Sequence, residues 1–425
     1  MRYRMEGATV LTLNDADERF AVGQVTWENG VITSVGEMDS DAEPVDQVIH
    51  LSHGYVLPGL LNGHNHAAMA LFRGVADDSP LDEWLTQYIF PLEAKLSPDD
   101  IYLGTLLAAA EMIRSGTVGF ADMYFAVEEV AKAIEQSGLR GWVARGITGD
   151  LNTGMPLLQD GIEFSQKWRT HRRITPMLGP HAPYTVSPEL AKRISEAAKD
   201  HQLGIHVHLA ESPKELHDLL RTGQTPISWA KAQGLLDQSQ VVIAHGVHLQ
   251  SKDIALLQAV SGGVIACPIS NAKLGNGIMP FAMLHQAGVA VGLGTDGAAS
   301  TNSLDMFLEM KAMAWMQKLQ GERPDQFCAR DALQMATRGT AEVLGHPGGV
   351  LAVGRPADLI MVDGRSAHMQ PDHDAVANLV YAAQSGDVRY TVVDGQVLLS
   401  EGMICSFDER AVLEEAKVRA QKLLA

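Results

Sequence analysis

Eight short apolar runs, rich in β-branched residues, recur along the middle of this 425-residue chain and alternate with longer segments of helical periodicity. Near-continuous apolar strands joined by helices are typical of a parallel sheet that is buried on both faces. Eight such units predict an α/β fold, a (β/α)8 TIM barrel, with its functional site at the carboxyl ends of the strands. The runs cover residues 55–64, 116–124, 139–147, 174–182, 203–211, 241–249, 262–270 and 288–297.

Two of the connecting segments have clear helix boundaries. Residues 97–116 and 187–204 each begin with Ser-Pro, a good N-cap followed by a proline in the first turn. Each segment also ends in glycine, which is a common residue just after a helix. We therefore expect α-helices between the strands, as a barrel of this type requires.

The two ends of the chain have a different pattern. Residues 7–57 and 350–405 contain shorter strand-like runs with tight-turn signals, Glu-Asn-Gly at 28–30 and Val-Asp-Gly at 393–395. Runs of this kind indicate antiparallel hairpins rather than strand–helix units. Both ends therefore look like parts of the same small antiparallel structure.

These patterns predict a division of the chain into two domains. Residues 1–57 plus 350–425 form a small β-sandwich domain, and residues 58–349 form the barrel. Within the smaller domain, residues 408–425 have the mixed charge and periodicity of an amphipathic helix, which we expect to pack on the surface.

The charge balance limits the classes of partner. Asp and Glu outnumber Lys and Arg by 51 to 33, which gives a formal net charge of −18. An excess of negative charge disfavours polyanions, so we expect no nucleic-acid partner. The amino terminus lacks the apolar core of a signal peptide, and no window approaches the roughly 18 consecutive apolar residues of a membrane span. We therefore expect no membrane partner either.

The cysteines indicate the compartment. Cys267, Cys328 and Cys405 are scattered and odd in number, which argues against a disulfide framework. We therefore expect a cytoplasmic protein.

Titratable side chains follow several of the predicted strands. Two histidines at positions i and i+2 of a strand point the same way, so His64 and His66 can reach one ion. A lone pair of this kind is weak evidence, but histidines and a carboxylate on four strands of one barrel predict a metal site. Imidazole and carboxylate ligands suit zinc, with iron or manganese as substitutes. The side chains at the predicted strand ends are His64, His66, His181, His206, His208, Glu211, His245 and Asp296.

Four motifs resemble the amidohydrolase superfamily. They are PGLLNGHNH at 58–66, HVHLAES at 206–212, AHGVHL at 244–249 and GTDGAAS at 294–300. Two further stretches, residues 82–96 and 179–187, resemble the branch that deaminates 5′-methylthioadenosine and S-adenosylhomocysteine, together with its triazine-hydrolase relatives. The resemblance extends over nearly the whole chain. It is compatible with a homo-oligomer, although no patch in the sequence indicates one.

The resemblance implies one divalent metal ion per subunit, zinc first, with iron(II) or manganese(II) as alternatives. Binuclear members of the superfamily carry a carboxylated lysine on the fourth strand, and residues 174–182 contain no lysine. The Cys-x-x-Cys motif of cytidine-type zinc deaminases is also absent from the sequence. The residues that match the family's metal ligands are His64, His66, His208 and Asp296.

The resemblance also implies catalytic and substrate-binding roles. Glu211 matches the acid that protonates the purine ring nitrogen. His245 matches a residue that polarises the attacking water or the developing intermediate, while Asp296 moves the proton of that water. Glu93 matches the carboxylate that holds the ribose hydroxyls, and His181 matches a residue of the nucleoside pocket. Arg145 is placed at the end of the third strand, where it can meet a homocysteine carboxylate.

The implied activity is zinc-dependent hydrolytic deamination of a small-molecule nucleoside, a 5′-modified adenosine, to its inosine analogue and ammonia. The alternatives are a guanine or 8-oxoguanine deaminase and a triazine aminohydrolase or chlorohydrolase. Glu93 with His181 suits a ribose-bearing substrate and is of little use to a free base. A catalytically dead scaffold is disfavoured because every expected ligand is present.

Two features of the pocket stay undecided from the sequence. The preferred 5′-substituent of the substrate is one, and the other is whether Trp84 lines the pocket or packs a loop. His206 is interpreted as an interior structural histidine.

Overall fold

The computed structural model describes residues 1–424. Its strands, in chain order, are β1 (Arg2–Glu6), β2 (Thr9–Leu11), β3 (Arg19–Phe20), β4 (Gly23–Glu28), β5 (Val31–Glu37), β6 (Gln47–His50), β7 (Tyr55–Pro58), β8 (Leu60–Asn65), β9 (Thr117–Tyr124), β10 (Arg140–Ile147), β11 (Ile174–Pro180), β12 (Gly204–Leu209), β13 (Val241–His245), β14 (Gly262–Ala266), β15 (Ala290–Leu293), β16 (Leu359–Val362), β17 (Val388–Val393), β18 (Gln396–Ser400) and β19 (Met403–Ile404).

The α-helices lie mostly between the strands of the barrel. They are α1 (Leu81–Glu83), α2 (Phe90–Glu93), α3 (Pro98–Arg114), α4 (Val127–Ser137), α5 (Leu151–Trp168), α6 (Pro188–His201), α7 (Pro213–Leu220), α8 (Pro226–Ala232), α9 (Ile254–Leu257), α10 (Pro268–Lys273), α11 (Phe281–Gln286), α12 (Ala298–Thr301), α13 (Met306–Gly321), α14 (Ala329–Gln334), α15 (Thr340–Val343), α16 (Ala375–Ala377) and α17 (Glu409–Leu424). Short π-helical turns occur at Trp84–Ile89, Met335–Gly339 and Asn378–Ala382, and 3-10 turns at Ala67–Phe72, Leu235–Asp237, Ser251–Asp253, Ala367–Met369 and Ser385–Asp387.

Strands β8 to β15 form one eight-stranded sheet in sequential order, and every neighbouring pair is parallel. The two edges of this sheet meet. Thr295 N donates to Asn62 Oδ1 at 3.0 Å, and Asp296 N donates to the His64 carbonyl at 2.9 Å. These contacts close the sheet into the predicted barrel. They also bring the end of the last strand beside the end of the first.

The two Ser-Pro segments form helices as expected. Ser97 and Ser187 cap α3 and α6 by accepting hydrogen bonds from Asp100 N and Leu190 N. The end of α6 differs from the expectation. The helix stops at His201, and Gln202 takes the left-handed conformation with φ 56, so a side-chain-bearing residue occupies the position expected for glycine.

Two further sheets lie beside the barrel. One has the strand order β5-β4-β1-β6, and the other has the order β19-β18-β17-β16-β7-β2-β3, so strands from both ends of the chain share a sheet. They enclose a separate hydrophobic cluster that includes Met5, Trp27 and Val392. The predicted hairpin turns are present, with positive φ at Asn29 and Gly30 in the first turn.

The run 55–64, expected as a single barrel strand, is two strands. Tyr55–Pro58 pairs antiparallel with β16 in the seven-stranded sheet, and Leu60–Asn65 opens the barrel. Gly59 separates them at a place where a Cβ atom would lie 2.1 Å from Val118 Cγ1. Glycine, which has no side chain, therefore fits this junction. The predicted division at residues 57/58 and 349/350 stays a prediction.

A buried ion-pair network joins the barrel to the seven-stranded sheet. Arg140, at the start of β10, donates to both oxygens of Asp358 at 2.7 and 3.0 Å and to Asp394 at 3.1 Å. His346 Nε2 lies 3.1 Å from Asp358 Oδ2. Burial alone would raise the pKa of Asp358, but Arg140 and His346 hold it well below its ordinary value.

The carboxyl-terminal helix packs on the barrel, as expected for a surface helix. Arg419 Nη1 lies 3.1 Å from Asp100 Oδ1, and Glu409 pairs with Arg114. Both contacts are to α3, one in its first turn and one at its last residue. The predicted helix extended to Ala425, which lies outside the described residues. Among residues 1–424, no helix combines the length and the apolar character needed to cross a bilayer.

Candidate active site

Five of the predicted site residues meet at one rim of the barrel. His64 lies at the end of β8 with His66 just beyond it, and His208 lies near the end of β12. His245 ends β13, and Asp296 follows β15. Because the strands are parallel, their carboxyl ends share this rim, which explains how residues far apart in the chain form one cluster.

The cluster has the geometry of a metal site. Nε2 of His64 and Nε2 of His66 lie 3.4 and 3.3 Å from Asp296 Oδ1. Nε2 of His208 lies 3.3 Å from Nε2 of His66. His64 Nε2 is buried and has no hydrogen-bond partner among the described residues, which is costly unless a ligand satisfies it. Three imidazoles and one carboxylate are a suitable donor set for zinc, iron or manganese, so these residues fit one divalent ion.

The outer nitrogens of two histidines are held by backbone carbonyls. His66 Nδ1 lies 2.7 Å from the Met123 carbonyl, and His208 Nδ1 lies 2.7 Å from the His181 carbonyl. A carbonyl can only accept, so each Nδ1 carries the hydrogen and each Nε2 is left free to bind a metal. Burial lowers the pKa of His208 well below its ordinary value, which keeps the ring neutral.

His64 has the same arrangement with a different acceptor. Its Nδ1 lies 2.8 Å from Nε2 of His206, and both rings are completely buried. Burial lowers the pKa of His64 to about 3, so this ring is also neutral. His206, interpreted from sequence as a structural histidine, therefore contacts a candidate metal ligand directly. The sequence could have indicated this contact. His206 lies two positions before His208, so the two side chains share one face of β12.

Asp296 is held in one orientation. Its Oδ2 accepts hydrogen bonds from the hydroxyls of Ser270 at 2.7 Å and Ser300 at 2.8 Å, and its Oδ1 accepts from Gly297 N at 2.8 Å. Burial alone would raise the pKa of Asp296, but the neighbouring histidines His64, His66 and His245 lower it well below its ordinary value. The carboxylate is therefore ionised and presents Oδ1 to the histidines.

Glu211 lies beside the cluster. Its Oε1 accepts a hydrogen bond from Asn276 Nδ2 at 3.2 Å and lies 3.7 Å from His245 Nε2. Burial, followed by the negative charge of Asp296, raises the pKa of Glu211 to about 8. A carboxyl group in this state holds a proton at neutral pH and can act as an acid.

The backbone that carries Glu211 is fixed by Glu215, which sequence reasoning missed. The two carboxylate oxygens of Glu215 accept hydrogen bonds from Ala210 N at 3.1 Å and Glu211 N at 2.8 Å. Ala210 has a positive φ of 56, so the chain turns sharply as it leaves β12. Glu215 satisfies the two buried amides of that turn. It therefore supports the direction in which the Glu211 side chain points.

His245 also has a defined orientation. Its Nδ1 lies 3.1 Å from Asn271 Oδ1, and burial lowers its pKa. A neutral ring whose Nδ1 donates to Asn271 has an unprotonated Nε2 on the side of Glu211. His245 and Asp296 have φ values of 75 and 63, so both side chains leave strand ends in the left-handed conformation. Such strain at a strand end is common at functional sites.

A cavity of about 560 Å³ opens over this cluster. Such a volume suits a small organic molecule. The lining is mostly apolar, with polar and charged side chains both at the cluster and on the wall. It is lined by His66, Met69, Leu81, Trp84, Leu85, Phe90, Glu93, Met123, Tyr124, Phe125, Arg145, Gly146, Thr148, Leu157, His181, Tyr184, Thr185, His208, Glu211, His245 and Asp296.

The residues predicted to meet the sugar lie on the wall of this cavity. Glu93 ends the short helix α2, which follows a π-helical turn. His181 Nδ1 lies 2.8 Å from Thr185 Oγ1. The Tyr124 hydroxyl and Trp84 Nε1 are buried, line the cavity, and have no hydrogen-bond partner among the described residues. Trp84 therefore belongs to the cavity, and this wall has unused polar atoms.

Arg145 lies on the same wall, but its charge is already paired. Its Nε donates to Asp160 Oδ2 at 2.5 Å and its Nη1 donates to the Gly146 carbonyl at 2.5 Å. Asp160 belongs to α5, the helix that follows β10. The guanidinium is therefore held against the wall by a helix on the outside of the barrel.

Comparison with known proteins agrees with this geometry. Residues 55–398, which include the whole barrel, match the Amidohydrolase family. The chain belongs to the amidohydrolase family. A 5-methylthioadenosine/S-adenosylhomocysteine deaminase of Pelotomaculum thermopropionicum is 42% identical over 99% of this chain and 98% of its own. A 5'-deoxyadenosine deaminase of Methanosarcina barkeri is 43% identical over the same shares.

The solved structures include a similar protein from Xanthomonas campestris. It is an adenosine deaminase with bound zinc, and it superposes with a TM-score of 0.95 at 31% identity, covering 99% of this chain and 98% of its own. The barrel and the flanking sheets of this amidohydrolase therefore have an overall arrangement already known from crystallography.

The structure brings together all the residues predicted for the site of this amidohydrolase. All of them line the cavity except His64, which lies buried in the cluster of histidines. Their individual roles stay predictions. Sequence reasoning missed the polar side chains that hold them, which are Glu215, Ser270, Asn271, Asn276 and Ser300.

Proposed function

We propose that this protein is a zinc-dependent deaminase that converts 5′-modified adenosines to the corresponding inosines and ammonia. The observation that carries the proposal is the position of Glu211, a buried acid held beside the cluster of histidines and Asp296 at the floor of a nucleoside-sized cavity. The names of the relatives support the same reaction class.

We propose His64, His66, His208 and Asp296 as the ligands of one zinc ion. The donor set suits zinc, and iron(II) or manganese(II) fit the same atoms. When bound, such an ion lowers the pKa of water and supplies a nucleophile at neutral pH. Asn62 joins the first and last barrel strands, and Ser270 and Ser300 orient Asp296, so these contacts hold the proposed ligands in position.

Glu211 is the proposed acid. Attack at C6 of the adenine ring places negative charge on N1, and a proton delivered to N1 removes that charge. Glu211 is protonated at neutral pH because burial and Asp296 raise its pKa, so it can donate at this point. Asn276 holds Oε1 of Glu211, which leaves Oε2 free to face the substrate.

Asp296 and His245 are the proposed groups that move the proton of the attacking water. Asp296 is ionised, so it can accept this proton and pass it to the departing amino group. His245 has an unprotonated Nε2 on the cavity side, which can accept a hydrogen bond from the same water and orient it. The water oxygen then forms the bond to C6, and the bond from C6 to the amino nitrogen breaks.

Glu93 and His181 are the proposed contacts to the nucleoside. Glu93 can accept hydrogen bonds from both ribose hydroxyls, and the unpartnered Tyr124 hydroxyl lies on the same wall. A free base such as guanine, or a triazine, has no sugar to use these groups. This pair therefore favours a nucleoside substrate over the alternative substrates of the same scaffold.

The first test is ultraviolet absorbance of the zinc-loaded protein with 5′-methylthioadenosine, adenosine and guanine in parallel. We expect the adenine spectrum to shift to that of hypoxanthine. The rate should fall by about 10²–10⁴-fold in Glu211→Gln, the range expected for a general acid. Glu189→Gln, which removes an exposed carboxylate on α6, is the matched control and should keep the rate. Conversion of guanine with no conversion of any adenosine would overturn the proposal.

We also propose a cytoplasmic location and a homo-oligomeric assembly. All three cysteines are free thiols, which suits a reducing compartment. The net charge of −18 disfavours nucleic acid as a partner. Size-exclusion chromatography with light scattering tests the assembly.

A further inference from the structure

One segment of the chain contacts all three groups that are proposed to act on the adenine ring and the attacking water. We call residues 267–280, which follow β14 and include α10, the support segment. Three of its polar side chains each form a hydrogen bond with one of these groups. The pairs are Ser270 with Asp296 at 2.7 Å, Asn271 with His245 at 3.1 Å and Asn276 with Glu211 at 3.2 Å. A shift of this one segment would therefore displace all three groups together.

The support segment is held in one shape by its own contacts. Asn276 N donates to the Asn271 carbonyl at 2.8 Å, and Leu274 N donates to the Ser270 carbonyl at 2.9 Å. His248 Nε2 lies 2.7 Å from the Asn276 carbonyl, which ties the segment to the chain that leaves β13. The side chains that face the site are therefore fixed relative to one another, and their position in the barrel depends on the support behind them.

That support is α13. Near one end of the segment, Gln317 Nε2 donates to the Met279 carbonyl at 2.8 Å. Near the other end, the Ile269 amide donates to Oε2 of Glu309 at 3.2 Å. Helix α13 therefore holds the segment at both ends, and the end held by Glu309 is the one that carries Ser270.

Glu309 is a carboxyl group in a fully buried position. It is 1% exposed, and its Oε1 has no hydrogen-bond partner among residues 1–424. Burial raises the pKa of Glu309 well above its ordinary value, so the group is neutral at neutral pH. An apolar side chain would fill this place without removing a polar group from water, so packing does not explain the carboxyl group. The Ile269 amide does explain it, because amides in the first turn of α10 have no partner within that helix.

We propose that Glu309 is a positioning residue for the reaction. By accepting the hydrogen bond of the Ile269 amide it fixes the support segment, and the segment in turn fixes the three groups that act on the substrate and the water. Glu309 does not line the cavity, so it acts through the segment rather than on the substrate. The inference rests on the proposed function, because the roles of the three groups are those of a deaminase.

Two substitutions separate the hydrogen bond of Glu309 from its packing. Glu309→Met keeps the approximate volume and removes the acceptor, whereas Glu309→Gln keeps an acceptor oxygen for the Ile269 amide. With 5′-methylthioadenosine and full zinc content, Glu309→Met should lower kcat by about 10- to 100-fold, since a misplacement of about 1 Å can cost about 10²-fold. KM should change little, because Glu93 and His181 lie on other parts of the chain. Glu309→Gln should retain most of the wild-type kcat.

Glu322→Met is the control, since it makes the same substitution at an exposed carboxylate just after α13, and it should match wild type. A normal kcat in Glu309→Met, even with a lower unfolding temperature, would show a purely structural role and overturn the proposal. An equal loss of kcat in Glu309→Met and Glu309→Gln would also overturn it, because the acceptor would then not be the cause. If the zinc-loaded wild type converts no adenosine, it is the proposed function that fails.

A double-mutant cycle tests whether Glu309 acts through the support segment. Ser270→Ala removes the hydrogen bond to Asp296, and its effect on kcat is measured in wild type and in Glu309→Met. We expect a smaller loss in Glu309→Met than in wild type, because residues that act as one unit have non-additive effects. Equal losses in both backgrounds contradict the proposal. If Glu309→Met does not fold, Glu309→Asp, which withdraws the carboxyl group by one methylene, replaces it in both experiments with the same expected direction.

Discussion

His64 Nδ1 and His206 Nε2 lie 2.8 Å apart in the buried floor of the site. Since His64 Nε2 faces the other candidate ligands, the hydrogen of this contact belongs on His64 Nδ1, and His206 accepts it. The ring of His64 therefore cannot rotate without losing the contact. His206 is thus a positioning residue for the metal site, in the way that outer partners orient ligating histidines in other proteins.

Replacing His206 should weaken metal binding. His206→Leu keeps the approximate volume but removes the acceptor, so we expect zinc affinity to fall by about 10–100-fold, the range found for outer partners of metal ligands. Competition titration with a zinc-binding dye measures this affinity. His217→Asn changes an exposed histidine on α7 and should have no effect. Unchanged affinity in His206→Leu would show that the contact does not support the site.

Metal removal should abolish activity reversibly. Dialysis against a chelator should give an inactive protein, and zinc should restore activity with about one equivalent per chain, because the two groups of possible ligands among the described residues share His64 and so belong to one site. The thermal unfolding temperature should fall on removal, since an ion that binds only the folded state contributes about 2.7 kcal/mol at a free concentration of 100 times Kd. Metal analysis by mass spectrometry gives the stoichiometry. Two equivalents bound with equal affinity would contradict a mononuclear site.

Loss of Glu215 should affect both stability and rate. Glu215→Ala leaves the amides of Ala210 and Glu211 without acceptors, and each buried unpaired donor costs about 1–3 kcal/mol. We expect a lower unfolding temperature and a lower kcat at full zinc content, because the Glu211 side chain loses its fixed direction. Glu215→Gln retains one acceptor and should fall between wild type and Glu215→Ala. If kcat were normal in Glu215→Ala at full metal content, Glu215 would have no positioning role.

Asp358 should make stability depend on acid pH. Its pKa is depressed in the folded state, so its stabilising contribution is complete above the unfolded pKa of about 4 and is lost as pH falls below that value. Asp358→Asn leaves Arg140 without its main partner, and breaking such a buried pair costs about 3–5 kcal/mol at neutral pH. The difference from wild type should be constant between pH 7 and 5 and shrink below about pH 4.

Chemical denaturation at a series of pH values measures the free energy of unfolding of the two proteins. Asp325→Asn, which removes an exposed partner of Arg323, is the control and should match wild type throughout. A difference that already shrinks above pH 5 would show that another group dominates the acid sensitivity of the junction.

The barrel and the candidate ligands could be predicted because they depend on local patterns. Each strand is a short apolar run, and the parallel order of strands places the ends of all runs at one rim. The histidines and Asp296 could therefore be grouped before any distance was known. The error in the first run came from Gly59, where the chain changes sheets within a continuous apolar stretch. Hydrophobicity alone does not show where a chain leaves one sheet and enters another.

The side chains that hold the site could not be predicted from local pattern. Asn276 reaches Glu211 from 65 positions away, and Ser270 reaches Asp296 from 26 positions away. Their residue types are common in loops, and their contacts exist only once the barrel has closed. The pairing of Arg145 with Asp160 is a similar case, because it depends on how α5 packs against β10.

Strand β7, which leads through Gly59 into the strand that carries His64 and His66, lies in its sheet between β2 and β16. On the ribosome, β2 emerges early, whereas β16 emerges only after the entire barrel has been translated. A nascent chain that ends before Leu359 contains all four proposed metal ligands. The sheet that holds β7, just before the first barrel strand, still lacks β16. The strand that leads into the candidate metal-site strand therefore gains its second sheet neighbour only at the last stage of synthesis.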